Sequence, residues 1–160
     1  MVSFKTVLVV NFFFFLSFSQ LSKFDYVFRI STNQTTDTIF EKLTVEIINN
    51  ESSIIELRNL IFVFYVDNVG YWAISEKVRF LDKALILKSK EHFSQTISFN
   101  SFTFTSFLNH QAVSPAEMKT ILKNGKIIRI KATMDDLRKF KDPLASSSLT
   151  HSNIIELQAK

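Results

Sequence analysis

Imidazole is both a metal ligand and a proton carrier near neutral pH, so the three histidines are the first residues to weigh for chemistry. His92, His110 and His151 lie far apart, and none has a second histidine or an acid at the spacing of a His-Glu-x-x-His helix. Each reads as a surface histidine. Asp135 and Asp136 are adjacent carboxylates, a pairing calcium uses when an Asp-x-Asp-x-Asp-Gly loop surrounds it. No such loop is present and Lys139 and Lys141 follow closely, so the pair reads as a solvated turn. The chain has no cysteine, which removes disulfides, thiolate metal sites and cysteine nucleophiles together. A Gly-x-Ser-x-Gly elbow or a phosphate-cradling loop needs glycines close together, and Gly70 and Gly125 are the only two. No catalytic residue, metal ligand or cofactor is expected.

What remains is aromatic. Tyr65, Tyr71 and Trp72 fall around one turn and would make a sugar-stacking surface if they all faced outward; packing into a core is the competing reading. The chain has 18 Phe against two Gly and two Pro, with many Ile, Val and Thr, types that fit a pleated surface. Coding bias can inflate a Phe count, so periodicity has to place these residues.

A positive residue, Lys5, precedes the apolar stretch Thr6 to Leu16, and Ser17-Phe18-Ser19 supplies the small residues a signal peptidase requires. The sequence therefore predicts a signal peptide over residues 1–19, cleaved between Ser19 and Gln20, followed by a single domain over 20–160. The stretch is shorter than the roughly 20 apolar residues that span a bilayer, and it contains Asn11. Membrane contact is expected only through this segment before cleavage. Net charge is +4, and losing the leader with its one lysine leaves +3. The cations alternate with acids, as in Lys88-Ser89-Lys90-Glu91, rather than gathering on one stripe, so no nucleic acid is expected as a partner.

In the mature chain Phe24, Tyr26, Phe28 and Ile30 alternate with Asp25, Val27 and Arg29, a half-buried strand that polar Ser31 to Asp37 should end. Leu43 to Ile47 repeats the pattern and stops at Asn49 to Ser53. Leu60 to Val66 is apolar on both faces and reads as a central strand, paired through Asp67 to Gly70 with Tyr71 to Ile74, where Gly70 is expected to supply a positive φ. Ala84 to Lys88 and Thr96 to Phe99 follow, after which the apolar phase slips by one to Phe102, Phe104 and Phe107. Such a slip means a bulge or a crossing between sheets near Asn100-Ser101. Ser114-Pro115-Ala116-Glu117 is a capping box with proline at the first helical position, opening a short helix with Met118, Ile121 and Leu122 inward and Asn124-Gly125 at its end. Lys126 to Thr133 and Ile154 to Ala159 read as strands, joined by a loose connection from Leu137 to Thr150.

The strand order, the doubly apolar third strand and the closing Ser152-Asn153-Ile154-Ile155-Glu156-Leu157 resemble bacterial secreted immunoglobulin-like domains, including proteinase-inhibitor-like ones. The resemblance covers Phe24 to Lys160, lacks the cysteine pair of antibody-type domains and transfers no functional residue. The expected fold is mainly β, an immunoglobulin-like β-sandwich of seven to nine strands with one short helix, after a signal peptide. The expected function is a non-catalytic binding or structural module, secreted, periplasmic or at the cell surface, with a protein partner or cell-surface component. A proteinase inhibitor presenting Asp67 to Gly70 or Asn109 to Ser114 is the alternative, and a carbohydrate-binding accessory domain is the next. Asn33-Gln34-Thr35 and Asn50-Glu51-Ser52 match the glycan-acceptor pattern, which has meaning only in a eukaryotic source. Mass spectrometry of the exported protein should find its N-terminus at or within a few residues of Gln20; an intact Met1 in a membrane fraction would show that the leader is kept.

Overall fold

The computed structural model describes residues 26–34, 40–78, 84–139 and 149–158. The expected leader with its expected Ser19–Gln20 junction, Phe24 and most of the connection after Leu137 lie outside those residues. The described chain is mainly β, in two antiparallel sheets that are not closed into a barrel, with one α-helix. The smaller sheet pairs β1 (Tyr26–Gln34), β2 (Phe40–Asn49) and β6 (His92–Ser98), in that order. The larger is built on β9 (Ile127–Asp136), β3 (Ile55–Val66), β4 (Val69–Ser75), β7 (Phe102–Ser106) and β8 (Ala112–Val113). Beside β9 lie β10 (Leu149–His151) and β11 (Ile155–Gln158), and β5 (Leu85–Leu87) pairs with the start of β3. Eleven strands are therefore present among the described residues, more than the seven to nine expected, because the short edge segments β8 and β10 are too brief to show a period, whereas β5 falls within the expected Ala84 to Lys88.

Alternation decides what each strand buries. Phe28 and Ile30 of β1, and Leu43, Val45 and Ile47 of β2, all face the core, as their period of two predicts. β1 does not end at Ser31. It runs to Gln34 because Ser31 and Thr32 pair with Thr44 and Leu43, and ladder hydrogen bonds are indifferent to side-chain polarity. The inward residues of both sheets form one core, and its centre is aromatic: the Phe64 ring lies 6.1 Å from Phe40, 6.4 Å from Phe99 and 5.4 Å from Phe104. The slip in apolar phase marks a crossing between sheets. A 3-10 turn at Phe99–Ser101 carries the chain from β6 in the smaller sheet to β7 in the larger.

In β3 the register with β9 shifts between Arg58 and Ile61, and Asn59 takes a φ of 55°. Two β3 residues here oppose one on β9, which moves the inward set from Ile55 and Leu57 to Leu60, Phe62 and Phe64. The Asn59 side chain steadies the bulge by donating to the Asp135 carboxylate at 2.7 Å.

The helix α1 (Pro115–Asn124) starts as its sequence predicts. Ser114 Oγ accepts from the Glu117 N–H at 3.2 Å, and Glu117 Oε2 accepts from the Ser114 N–H at 2.8 Å and from its hydroxyl at 2.7 Å. Those donors, the Ser114 backbone N–H first, hold the Glu117 carboxyl below its usual value. Met118 and Leu122 are fully buried. Gly125 does not adopt a left-handed cap; its φ is −73°, and glycine is needed because a Cβ would run into Val66 Cγ1.

Asp136 overturns the expectation of a solvated turn. It is the last residue of β9, points into the protein and is fully buried, so its charge needs partners. Arg138 supplies them: NH2 meets Asp136 Oδ2 at 2.7 Å, Nε meets Oδ1 at 3.0 Å, and NH1 meets Glu51 Oε2 at 2.5 Å. Burial works against the guanidinium charge, but the hydrogen bonds to Asp136 and Glu51 outweigh it and raise its pKa. The Tyr26 ring lies beneath Arg138, 5.8 Å from its central carbon, and burial pushes the phenol up to about 12. Asn49, also fully buried, ties the end of β2 to the loop after β5 by donating to Leu87 O and Lys88 O, each at 3.0 Å.

Two substitutions separate a surface cap from a buried charge. Ser114→Ala should lower stability by about 1 kcal/mol. Ser114→Asp, a competent cap elsewhere, sets a carboxylate against Glu117 and should destabilise more at pH 7 than at a pH below the ordinary glutamate value of 4.5. Asp136→Ala removes the buried carboxylate that accepts from Arg138 Nε and NH2, while Glu51 still accepts from NH1, and should cost about 1.5–3 kcal/mol. Chemical denaturation of the three variants checks all of this; equal midpoints for Asp136→Ala and the parent would mean that the pair holds nothing.

Candidate binding surface

The outer face of the larger sheet is where the aromatic candidates separate. Along β3 the outward residues are Ile61, Val63 and Tyr65, and along β4 they are Gly70, Trp72 and Ile74. Pairing sets Val63 beside Trp72 and Tyr65 beside Gly70. Tyr71 pairs with Phe64 and is buried, so it belongs to the core and not to the stacking surface proposed for it. A period of two makes that division unavoidable, since neighbours on a strand cannot share a face.

Two residues that the sequence reading did not group with these aromatics complete the surface: Phe107, read there only as part of the apolar phase, and His110, read as a surface histidine. Phe107, the residue after β7, folds over Gly70: its ring centroid lies 4.3 Å from Trp72 and 6.1 Å from Tyr65. The His110 ring centroid lies 5.9 Å from that of Trp72, its plane within 16° of the indole. The result is a row of four rings, Tyr65, Phe107, Trp72 and His110, on a face of the sheet that no further layer of the described residues covers. The slip to Phe102, Phe104 and Phe107 was the available clue, because Phe107 is one step out of phase with the buried pair before it.

Gly70 is the reason the row closes up. A Cβ there would lie 2.5 Å from Phe107 Cδ2, closer than any side chain tolerates. Its expected role in the turn passes to others: Asp67 and Asn68 take the positive φ values, 47° and 74°, the pattern of a two-residue type I′ hairpin. Asp67 is fixed there as its carboxylate accepts from the Ile127 N–H at 2.9 Å and the Lys126 N–H at 3.0 Å, which hold its pKa below the usual value. The doubly apolar β3 is central as predicted. Its second face, however, is covered by side chains of its own sheet: Val63 is 6% exposed, paired with Trp72 on one strand and Lys131 on the other.

Cations border one end of the row. Lys131 Nζ sits 5.9 Å from the Tyr65 ring centroid, a cation over a π face. Arg129, opposite Tyr65 on β9, meets Glu156 Oε2 through Nε at 3.0 Å. These residues line a groove of about 310 Å³ with Asn68 and Ile154. A wider cleft of about 630 Å³ lies between α1 and the turn after β7, against Val69, Val113 and Ile121. That turn holds itself, with Asn109 Oδ1 accepting from the Gln111 N–H at 3.1 Å and Ser106 O from the His110 N–H at 3.0 Å. His92 and His151 are exposed on β6 and β10. Among the described residues no three His, Asp or Glu side chains converge on one point, and no helix is long and apolar enough to cross a membrane.

Gly70→Ala should destabilise by about 1–3 kcal/mol, because the Phe107 ring must move. In a Phe107→Ala background the same change should stabilise by about 0.5 kcal/mol, the ordinary gain of alanine over glycine in a strand. Trp72 is the chain's one tryptophan, so its fluorescence reports the ring shift directly. A cost that is the same in both backgrounds would mean that Phe107 does not set the requirement for glycine.

The chain matches no protein-family model, no curated protein and no solved structure.

Proposed function

We propose that the protein is a non-catalytic, exported binding module that takes carbohydrate on the outer face of its larger sheet. The observation that carries this reading is the ring row, above all Trp72 with Phe107 at 4.3 Å. A pyranose ring has a C–H face bordered by hydroxyls, and the negative face of an aromatic ring attracts such C–H groups while excluding water from them. The surroundings suit the hydroxyl rim. Thr105 pairs with Trp72, and Thr103 pairs with Ile74. A protein partner would favour a deep apolar pocket for its anchors, whereas these rings are edged with polar groups, Thr105 and Thr103 on one side and Arg129 and Lys131 on the other.

Export rests on the leader sequence, and the immunoglobulin-like reading of the fold rests on two sheets around one core with a crossing between β6 and β7. The inhibitor reading keeps one supporting feature. Leu108 is 77% exposed at the head of the self-bonded turn after β7, the kind of rigid apolar side chain a protease cleft accepts.

Affinity electrophoresis and a glycan array with the purified protein test the main reading. At least one polysaccharide should retard the protein and quench or shift Trp72 emission. Trp72→Ala should weaken that binding at least tenfold, a loss of about 1.4 kcal/mol, without a large change in melting. No retention by any glycan, together with stoichiometric inhibition in a protease panel that Leu108→Asp removes, would replace this function with the inhibitor one.

A further inference from the structure

The two ends of the ring row differ, and the difference bears on which saccharide fits. At the Trp72 end the neighbours are Thr105, Ile74 and the His110 ring, with no Lys or Arg among them. At the Tyr65 end the groove of about 310 Å³ is walled by Arg129 and Lys131, with the Asn68 side chain at its rim. No carboxylate among the described residues pairs with Lys131. Arg129 meets Glu156 through Nε, and its side chain is 50% exposed. The Asn68 amide makes no hydrogen bond among the described residues.

We infer that the saccharide bound here carries a carboxylate, as in a uronic-acid polysaccharide, with its ring stacked on Trp72 and Phe107 and its charge between Arg129 and Lys131. This rests on the carbohydrate reading above and narrows it. The Lys131 ammonium occupies the face of Tyr65, so that ring polarises and holds the cation while the other rings take the sugar. A guanidinium matches a planar carboxylate with two parallel N–H groups, and Arg129 already holds one carboxylate, that of Glu156, through its remaining N–H. The groove has the size of the smallest ligand sites, about that of one monosaccharide.

Binding of the purified protein to alginate, polygalacturonate and hyaluronan, each a uronate polymer, should be compared with binding to dextran and soluble β-glucan, which are neutral. At least one uronan should bind about tenfold or more tighter than either neutral polymer, and the gain should shrink as salt rises, since the Debye length falls from about 10 Å at 0.1 M to about 3 Å at 1 M. Lys131→Gln and Arg129→Gln should each remove most of that gain and leave melting unchanged, and methyl-esterifying the bound uronan should do the same. Neutral polymers bound as tightly as uronans, with no effect of Lys131→Gln, would overturn this inference and leave the stacking surface standing. Retention by none of the five polymers overturns it as well, and the glycan array then decides whether the stacking surface survives. Dextran sulfate or an oligo-dT strand bound more tightly than every uronan, with the same loss in Lys131→Gln, would show an unselective polyanion site and overturn it too.

Discussion

Phe64 is the side chain on which the arrangement turns. It projects inward from the middle of β3 and meets rings from three other segments: Phe40 of the smaller sheet, Phe99 in the crossing turn, and Phe102 and Phe104 of β7. With no disulfide available, contacts of this kind must join the sheets. Each fully buried Phe supplies about 1.5–3 kcal/mol, and edge-to-face pairs add about 0.5–1.5 more. The crossing between sheets is part of the same contact, because Phe99 opens the 3-10 turn, Phe102 follows it, and both pack on Phe64.

The same strand that presents Phe64 to the core presents Val63 and Tyr65 to the outside, so the aromatic core and the aromatic surface are two faces of one element. That coupling gives the ring row a rigid backing. The Tyr65 backbone is held in the strand that carries Phe64, and Trp72 lies between the core residues Tyr71 and Ala73 on the next strand. Phe107 lies one residue past β7, where its N–H donates to Gly70 O at 2.9 Å and Gly70 leaves the space its ring fills. A ligand that stacks on such rings pays little ordering entropy, which is the physical advantage of a sheet face over a loop as a binding surface.

How much of this was legible in the sequence depended on range. The helix start could be read from four residues because a capping box is local, and the inward faces of β1 and β2 followed from alternation alone. The slip before Phe102 announced the crossing for the same reason. What failed was long-range. Nothing near Asp136 in sequence reveals that Glu51 stands across from it, joined through Arg138, so an adjacent acid pair beside lysines looked like a turn. Gly70 looked like a turn glycine because Asp67 to Gly70 is a turn sequence, whereas the constraint comes from Phe107, far along the chain. Tyr65, Tyr71 and Trp72 were grouped by proximity, and alternation, applied one step further, would have separated Tyr71 from the other two. The leader sequence stands apart, since its reading concerns residues outside those described.

An open sheet face with exposed aromatic rings risks pairing with other copies, and the edges show how that is limited. The β8 edge is two residues long and is followed at once by Ser114-Pro115, where the chain leaves as a helix. At the opposite side β10 and β11 are broken by Ser152 to Ile154, and the break is filled from within. Ser152 Oγ accepts from the Ala132 N–H at 2.8 Å in place of a strand carbonyl. Asn153 turns its amide onto the edge of β1, with Oδ1 accepting from the Ile30 N–H at 2.7 Å and Nδ2 donating to Ile30 O at 3.1 Å. One side-chain amide thus stands in for a peptide unit, occupying β1 backbone groups that another strand would otherwise use and tying the smaller sheet to the rim of the larger. With the β8, β10–β11 and β1 edges shortened, interrupted or occupied, the sheet face can stay exposed with fewer places for β-pairing, and the rings on it remain available to a ligand that needs no backbone hydrogen bonds.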